Sequence, residues 1–290
     1  MPDRNRKVGG IIIMARYGMI IDIDKCTGCY SCFLACKDEF CGNDYPGYAA
    51  SQPAKGHYWM KIVPVERGTT PKVKLDYIPT PCQQCENGSC ISGGAPGAVY
   101  KRPDGIVIID PDKAKGDKGI VSSCPYRVIY WNEELNVAQK CNLCAHLLDK
   151  GWKEPRCVET CPTGALIFGD LDDPKSVIAR KAKEGKTEIL HPEFAMKPSV
   201  SYIGLPKKFI AGEVVFIDRK DEAAIGVKVT LVSGSNKIET MTDHFGDFEF
   251  DGLESNKEYK IRLEYAGYKT CEMSVKTLKD INLGEIVMTK

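Results

Sequence analysis

An excess of either charge is missing from this 290-residue chain: 40 Lys and Arg stand against 39 Asp and Glu, a formal net charge of +1 at pH 7. That balance gives no electrostatic reason to expect a nucleic acid or an anionic membrane as partner. Long apolar runs are missing too, and nothing approaches the roughly eighteen residues that a membrane span requires. Near the N-terminus, Met1 to Gly18 has basic residues but only Ile11 to Met14 as an apolar stretch, short of a secretory h-region, and no twin-arginine pair. The expectation is therefore a cytoplasmic chain. Regular patterning starts at Tyr17, which makes residues 1–16 a flexible extension and Met14 a candidate natural start. Histidine is scarce: His57, His146, His191 and His244 are scattered, with no matching nucleophile or carboxylate pair. No catalytic constellation is legible.

What is present is cysteine, 14 in all. Cys26, Cys29, Cys32 and Cys36 follow the C-x2-C-x2-C-x3-C spacing of a bacterial ferredoxin, in which three thiolates hold one iron–sulfur cube and the fourth reaches a second. Their partners are Cys141, Cys144, Cys157 and Cys161, the last followed by Pro162. Between these runs lie Cys82, Cys85 and Cys90, with Gly94 where a fourth member belongs, and a lone Cys124 followed by Pro125. Crossed ligation makes sense of the gaps. Cys26, Cys29, Cys32 and Cys161 would hold one cube; Cys36, Cys141, Cys144 and Cys157 a second; Cys82, Cys85, Cys90 and Cys124 a third. A fourth site is absent as a whole, and no orphan ligand remains.

Zinc fits less well, because it prefers paired C-x2-C motifs closing one tetrahedron. Disulfides need an oxidising compartment. Cys41 and Cys271 fall outside the scheme and read as small buried residues. Lys25, Lys140 and Arg156 each precede a ligating cysteine; they read as solvated, with a role in raising a cluster potential as the alternative. His146 reads as solvent-facing, with an outer-sphere bond as its alternative.

The fold class expected is α+β: tandem ferredoxin-like modules over residues 17–204 with loop-rich insertions, then a seven-stranded antiparallel β-sandwich over 205–290. Gly97–Tyr100, Cys124–Tyr130 and Cys161–Ile167 are versions of one turn into a strand, the mark of internal duplication. Asp173 and Pro174 supply an N-cap and first-turn proline for a surface helix reaching Lys183. Phe40 to Thr80, with Tyr45, Tyr48, His57, Tyr58 and Trp59, reads as a long loop that contacts another subunit, or else covers the clusters; Trp131 and Trp152 read as cover. After Pro206, alternation at Val227, Val229, Leu231, at Phe248, Phe250 and at Tyr259, Ile261, Leu263 marks half-buried strands. Thr242 to Phe250 resembles the signature of Cna-B or carboxypeptidase-regulatory domains.

The four-motif plan over Tyr17 to Gly169, closing in Cys161-Pro162-Thr163-Gly164-Ala165, resembles the iron–sulfur subunits of the molybdopterin dimethyl sulfoxide reductase superfamily. Ile108–Pro111, Tyr130–Glu134, Ala138–Cys141 and Cys144–Asp149, with the missing fourth cluster and the added C-terminal unit, are more narrowly similar to the small subunits of the pyrogallol–phloroglucinol transhydroxylase group. Those of resorcinol hydroxylases and catechol dehydroxylases are related. The resemblance implies a non-catalytic electron-transfer chain with three [4Fe-4S] clusters. It also implies a heterodimer whose large subunit carries molybdenum bis-pterin guanine dinucleotide and acts on a polyhydroxylated benzene, with an external electron carrier where the net reaction is redox. A stand-alone polyferredoxin and purely structural clusters are the competing classes.

Overall fold

The computed structural model describes residues 5–8, 11–219 and 221–290, so the extension expected over residues 1–16 lies partly outside the described residues. The chain divides into two units, one running to Pro64 and resuming over Tyr77–Leu205, the other made of Val65–Asp76 and Pro206–Lys290. The architecture is mixed α+β and mostly strands.

The first unit is organised by a three-stranded sheet with Tyr17–Asp22 in the centre. Leu166–Asp170 pairs antiparallel to it and Val200–Ile203 parallel. Met19, Ile20, Ile21 and Tyr202 are wholly buried, as expected of a strand covered on both faces. Two small ribbons, Val99–Lys101 with Val107–Ile109 and Tyr130–Asn132 with Val137–Gln139, each sit beside a cysteine loop. The longest helix of this unit, Ser31–Phe40, carries Cys32 and Cys36.

Two expectations are corrected here. The later helix spans Val177–Lys183 and is capped by Ser176, whose side chain accepts from the Ala179 N–H. Asp173 instead closes a turn by accepting from the Lys175 N–H. That helix buries Ile178 and Ala179, so it is amphipathic rather than purely superficial. The segment from Phe40 to Thr80 is not one long loop: Met60–Thr69 and Lys72–Pro81 form a two-stranded sheet. Its prolines, Pro64, Pro79 and Pro81, hid this, since proline ordinarily argues against a strand.

In the second unit, Lys208–Phe216 lies between Asp247–Leu253, antiparallel to it, and Ile281–Met288, parallel to it, so the expectation of wholly antiparallel pairing is corrected; Lys228–Ser233 and Glu258–Glu264 are the inner strands of a four-stranded sheet. The inward residues of both sheets, among them Val214, Leu231, Phe250, Ile261 and Leu263, make one continuous core. The turn expected at His244 to Gly246 is there, and glycine is required: φ is +83° at Gly246 and an added Cβ would sit 2.7 Å from the Val214 carbonyl. Ile261 is completely buried in this core. Ile261→Ala is expected to cost about 2–5 kcal/mol, read by calorimetry as a lowered midpoint for this unit's transition.

Candidate metal centre

Cysteines far apart in sequence converge. Cys26, Cys29, Cys32 and Cys161 line one cavity. Cys82, Cys85, Cys90 and Cys124 line another. Cys36, Cys141, Cys144 and Cys157 are all buried and lie close enough that Cys141 and Cys144 are the strongest charge influences on Cys36. Among the described residues no three metal-binding side chains close around a point. The sulfurs ring a volume instead, as a cube asks and a tetrahedral ion does not.

Strand register explains the first convergence. Leu166, five residues after Cys161, pairs with Ile21, five residues before Cys26. Glu39 secures the second: its carboxylate meets His146 at 2.9 Å and Arg156 at 3.4 Å, tying the helix of Cys36 to the segments of Cys144 and Cys157.

The loops share one backbone device. The residue before the second cysteine of the first C-x2-C in three of the runs, namely Gly28, Gln84 and Leu143, is left-handed, with φ of +66°, +50° and +52°. So is the third residue after each Cys-Pro cysteine, Arg127 and Gly164, at +54° and +63°. At Gly28 a Cβ would lie 2.5 Å from the Tyr77 ring, so nothing larger fits. Such curvature turns successive N–H groups inward to form an anion-binding concavity. Burial raises the Cys124 thiol, opposed by the backbone N–H groups of Val128, Tyr126 and Arg127, and the N–H groups of Leu166, Ala165 and Thr163 lower that of Cys161 against burial. Tyr126, lining the cavity of Cys124, keeps a buried hydroxyl with no protein partner. A sulfur-rich anionic group would satisfy it.

Burial pushes the Cys32 and Cys85 thiols up to about 12, and those of Cys90 and Cys141 to about 11. On Cys90 the Lys140 ammonium is the largest opposing influence. Cys161 goes the other way: burial raises it, and the N–H bonds outweigh burial. Cys29, nearly unburied, is lowered first by the Ser31 hydroxyl. Buried thiols of raised pKa become thiolates only when a cationic group arrives, so ligation here releases protons.

The three groups are contiguous. Cys32 and Cys36 stand one turn apart on the same helix, and Cys82 lies close enough to Cys141 to be the strongest charge influence on it. The corner beside Gly94, where the spacing would put a fourth cysteine, is filled. A Cβ on Gly94 would lie 2.7 Å from Ile120, which is completely buried among Ala98, Val99, Ile109 and Ala114. Asp117 closes the same corner, accepting from the Ala95 N–H at 2.7 Å.

Several single-residue expectations change. His146 is not solvent-facing: it is 2% exposed and stacked on Tyr45 with ring centroids 3.7 Å apart. Lys140 is not solvated either, at 3% exposure, whereas Lys25 is half-exposed and paired with Asp22. Arg156 is paired with Glu39 and Glu159. Cys41 and Cys271 are only partly buried. Trp59 and His57 face inward and Tyr58 is exposed; Trp152 is 42% exposed with Arg156 over its ring. Sequence reasoning passed over Tyr126 and Gln84, although both are adjacent or next-adjacent to a cysteine, and Glu39.

Residues 73–171 match the model of the 4Fe-4S dicluster domain. The chain is 42% identical over 280 residues to the pyrogallol hydroxytransferase small subunit of Pelobacter acidigallici, covering 94% of this chain and 99% of that one. The family follows from that span. This chain belongs to the iron–sulfur subunits that include the pyrogallol hydroxytransferase small subunit. The arsenate respiratory reductase iron–sulfur subunit of Shewanella is 32% identical, over 65% of this chain and 96% of that one. The thiosulfate reductase electron transfer subunit of Salmonella typhi is 35% identical, over 64% of this chain and 90% of that one. This iron–sulfur subunit carries [4Fe-4S] clusters, and among the described residues no helix is long and apolar enough to cross a membrane.

Restoring the missing ligand in this subunit is expected to fail. Gly94→Cys forces its side chain into Ile120 and should cost about 1–3 kcal/mol, with iron content per chain unchanged by elemental analysis.

Proposed function

We propose that this chain is the electron-transferring small subunit of a two-subunit molybdenum enzyme acting on a polyhydroxylated benzene. Molybdenum bis-pterin guanine dinucleotide and the substrate belong to the large partner. The observation that carries the reading is the match along nearly the whole length of both chains to the pyrogallol hydroxytransferase small subunit. Resorcinol hydroxylase and catechol dehydroxylase partners are the neighbouring versions of the same role.

In this reading Cys26, Cys29, Cys32 and Cys161 hold one cube, Cys36, Cys141, Cys144 and Cys157 the next, and Cys82, Cys85, Cys90 and Cys124 the third. When bound, such a cube supplies one-electron chemistry. The chain's own residues hold the ligating sulfurs by N–H donation, exclude water, and keep the three groups in line. Cys32 with Cys36, and Cys82 with Cys141, are the junctions that support a row with the Cys36 group in the middle. Ile120 and its neighbours support a row that ends at the third group. The two sheets after Pro206 are read as a β-sandwich of the Cna-B or carboxypeptidase-regulatory kind, serving adhesion or stability. A reducing cytoplasm suits the free thiols.

Three cubes of four irons require twelve iron atoms per chain, by analysis of the purified complex; sixteen or eight contradicts the ligand sets. Cys124→Ser should abolish the same electron paramagnetic resonance signal as Cys82→Ser and leave the other two. Separate losses would break the pairing.

A further inference from the structure

Three basic residues immediately precede cysteines of the proposed ligand sets, and among the described residues only one lacks an acidic partner. Lys25 is matched by Asp22, and Arg156 by Glu39 and Glu159. Lys140 is 3% exposed, and among the described residues its ammonium meets no carboxylate. Instead it donates to the carbonyls of Val107 and Cys141. It also lines the cavity of Cys82, Cys85, Cys90 and Cys124.

Its position is over-determined. Gln84, wholly buried between Cys82 and Cys85, donates to the same Cys141 carbonyl at 3.1 Å and accepts from the Val107 N–H at 2.8 Å. One side chain from the third cysteine group and one from the second therefore clamp the same two residues. The ammonium is held where the two groups adjoin.

A buried ion without a counter-charge costs several kcal/mol, and two carbonyl dipoles only partly offset that. An ammonium has three N–H donors, so one remains for an acceptor in the cavity it lines. Four thiolates around a cube carry net negative charge, which grows when the cube is reduced. A fixed positive charge beside it favours the reduced form.

We propose that Lys140 is the charge-compensating residue at the junction of the second and third cubes, a positioning and tuning residue that raises the reduction potential, most of all at the third. The inference rests on the ligand sets given under the proposed function.

The test is a potentiometric titration of the intact holo-complex followed by electron paramagnetic resonance, with iron analysis, on Lys140→Met and Lys140→Arg. The third centre is identified as the signal lost in Cys124→Ser. With full iron, Lys140→Met should lower the reduced-to-oxidised ratio of that centre at fixed potential at least tenfold, about 59 mV for one electron. Lys140→Arg should stay within a few-fold of the wild type. Loss of iron in Lys140→Met but not in Lys140→Arg would also support the inference, since charge alone would have rescued the cube. An unshifted, fully loaded Lys140→Met protein would overturn it, as would equal loss of iron in both variants. A wild-type chain without iron would refute the ligand sets instead.

Discussion

Buried sulfur is the constraint on which the first unit depends. A thiol inside the protein resists ionisation, and four thiolates facing one cavity repel one another, so the arrangement is stable only around a cationic group. Each four-sulfur group draws one member from a distant part of the chain, and the chain must bring those parts together. It does so by short-range means. Central strand Tyr17–Asp22 sets the register that delivers Cys161 to Cys26, and the Glu39 carboxylate joins three segments around Cys36. Among these small ribbons and short helices, clusters of this kind would act as staples that add to the apolar core.

The same constraint shaped the loops. Left-handed backbone recurs at equivalent places in three C-x2-C turns and in both Cys-Pro turns, so duplication preserved a curvature as well as a ligand spacing. Beside Gly94, Ile120 and the apolar residues around it leave no room for a further side chain. Charge next to the cysteines is uneven: Arg156 is paired with acids, Lys140 with none among the described residues.

Cysteine spacing was legible because the irons of such a cube are held by cysteine thiolates at characteristic intervals, and the ligand groups were read from that spacing alone. Strands such as Glu258–Glu264 were legible because Tyr259, Ile261 and Leu263 alternate with charged residues on a half-buried surface. What stayed hidden depends on partners remote in sequence. His146 is buried by Tyr45 and bonded to Glu39, 107 positions away, and Lys140 reaches the Val107 carbonyl, 33 positions away. Neither contact leaves a local pattern. The strands Met60–Thr69 and Lys72–Pro81 were masked by their prolines, and the Val177–Lys183 helix by an Asp-Pro pair that makes a turn where a cap would also have fitted.

Three iron clusters in one row, each held by sulfurs from two distant segments, are what we propose the first unit to hold. Anomalous scattering at the iron edge from crystals of the complex tests this directly. Three separate clusters in this chain are expected, with the middle one touching Cys36, Cys141, Cys144 and Cys157. Density at the zinc edge, two or four iron clusters, or a middle cluster bound by other cysteines would contradict it.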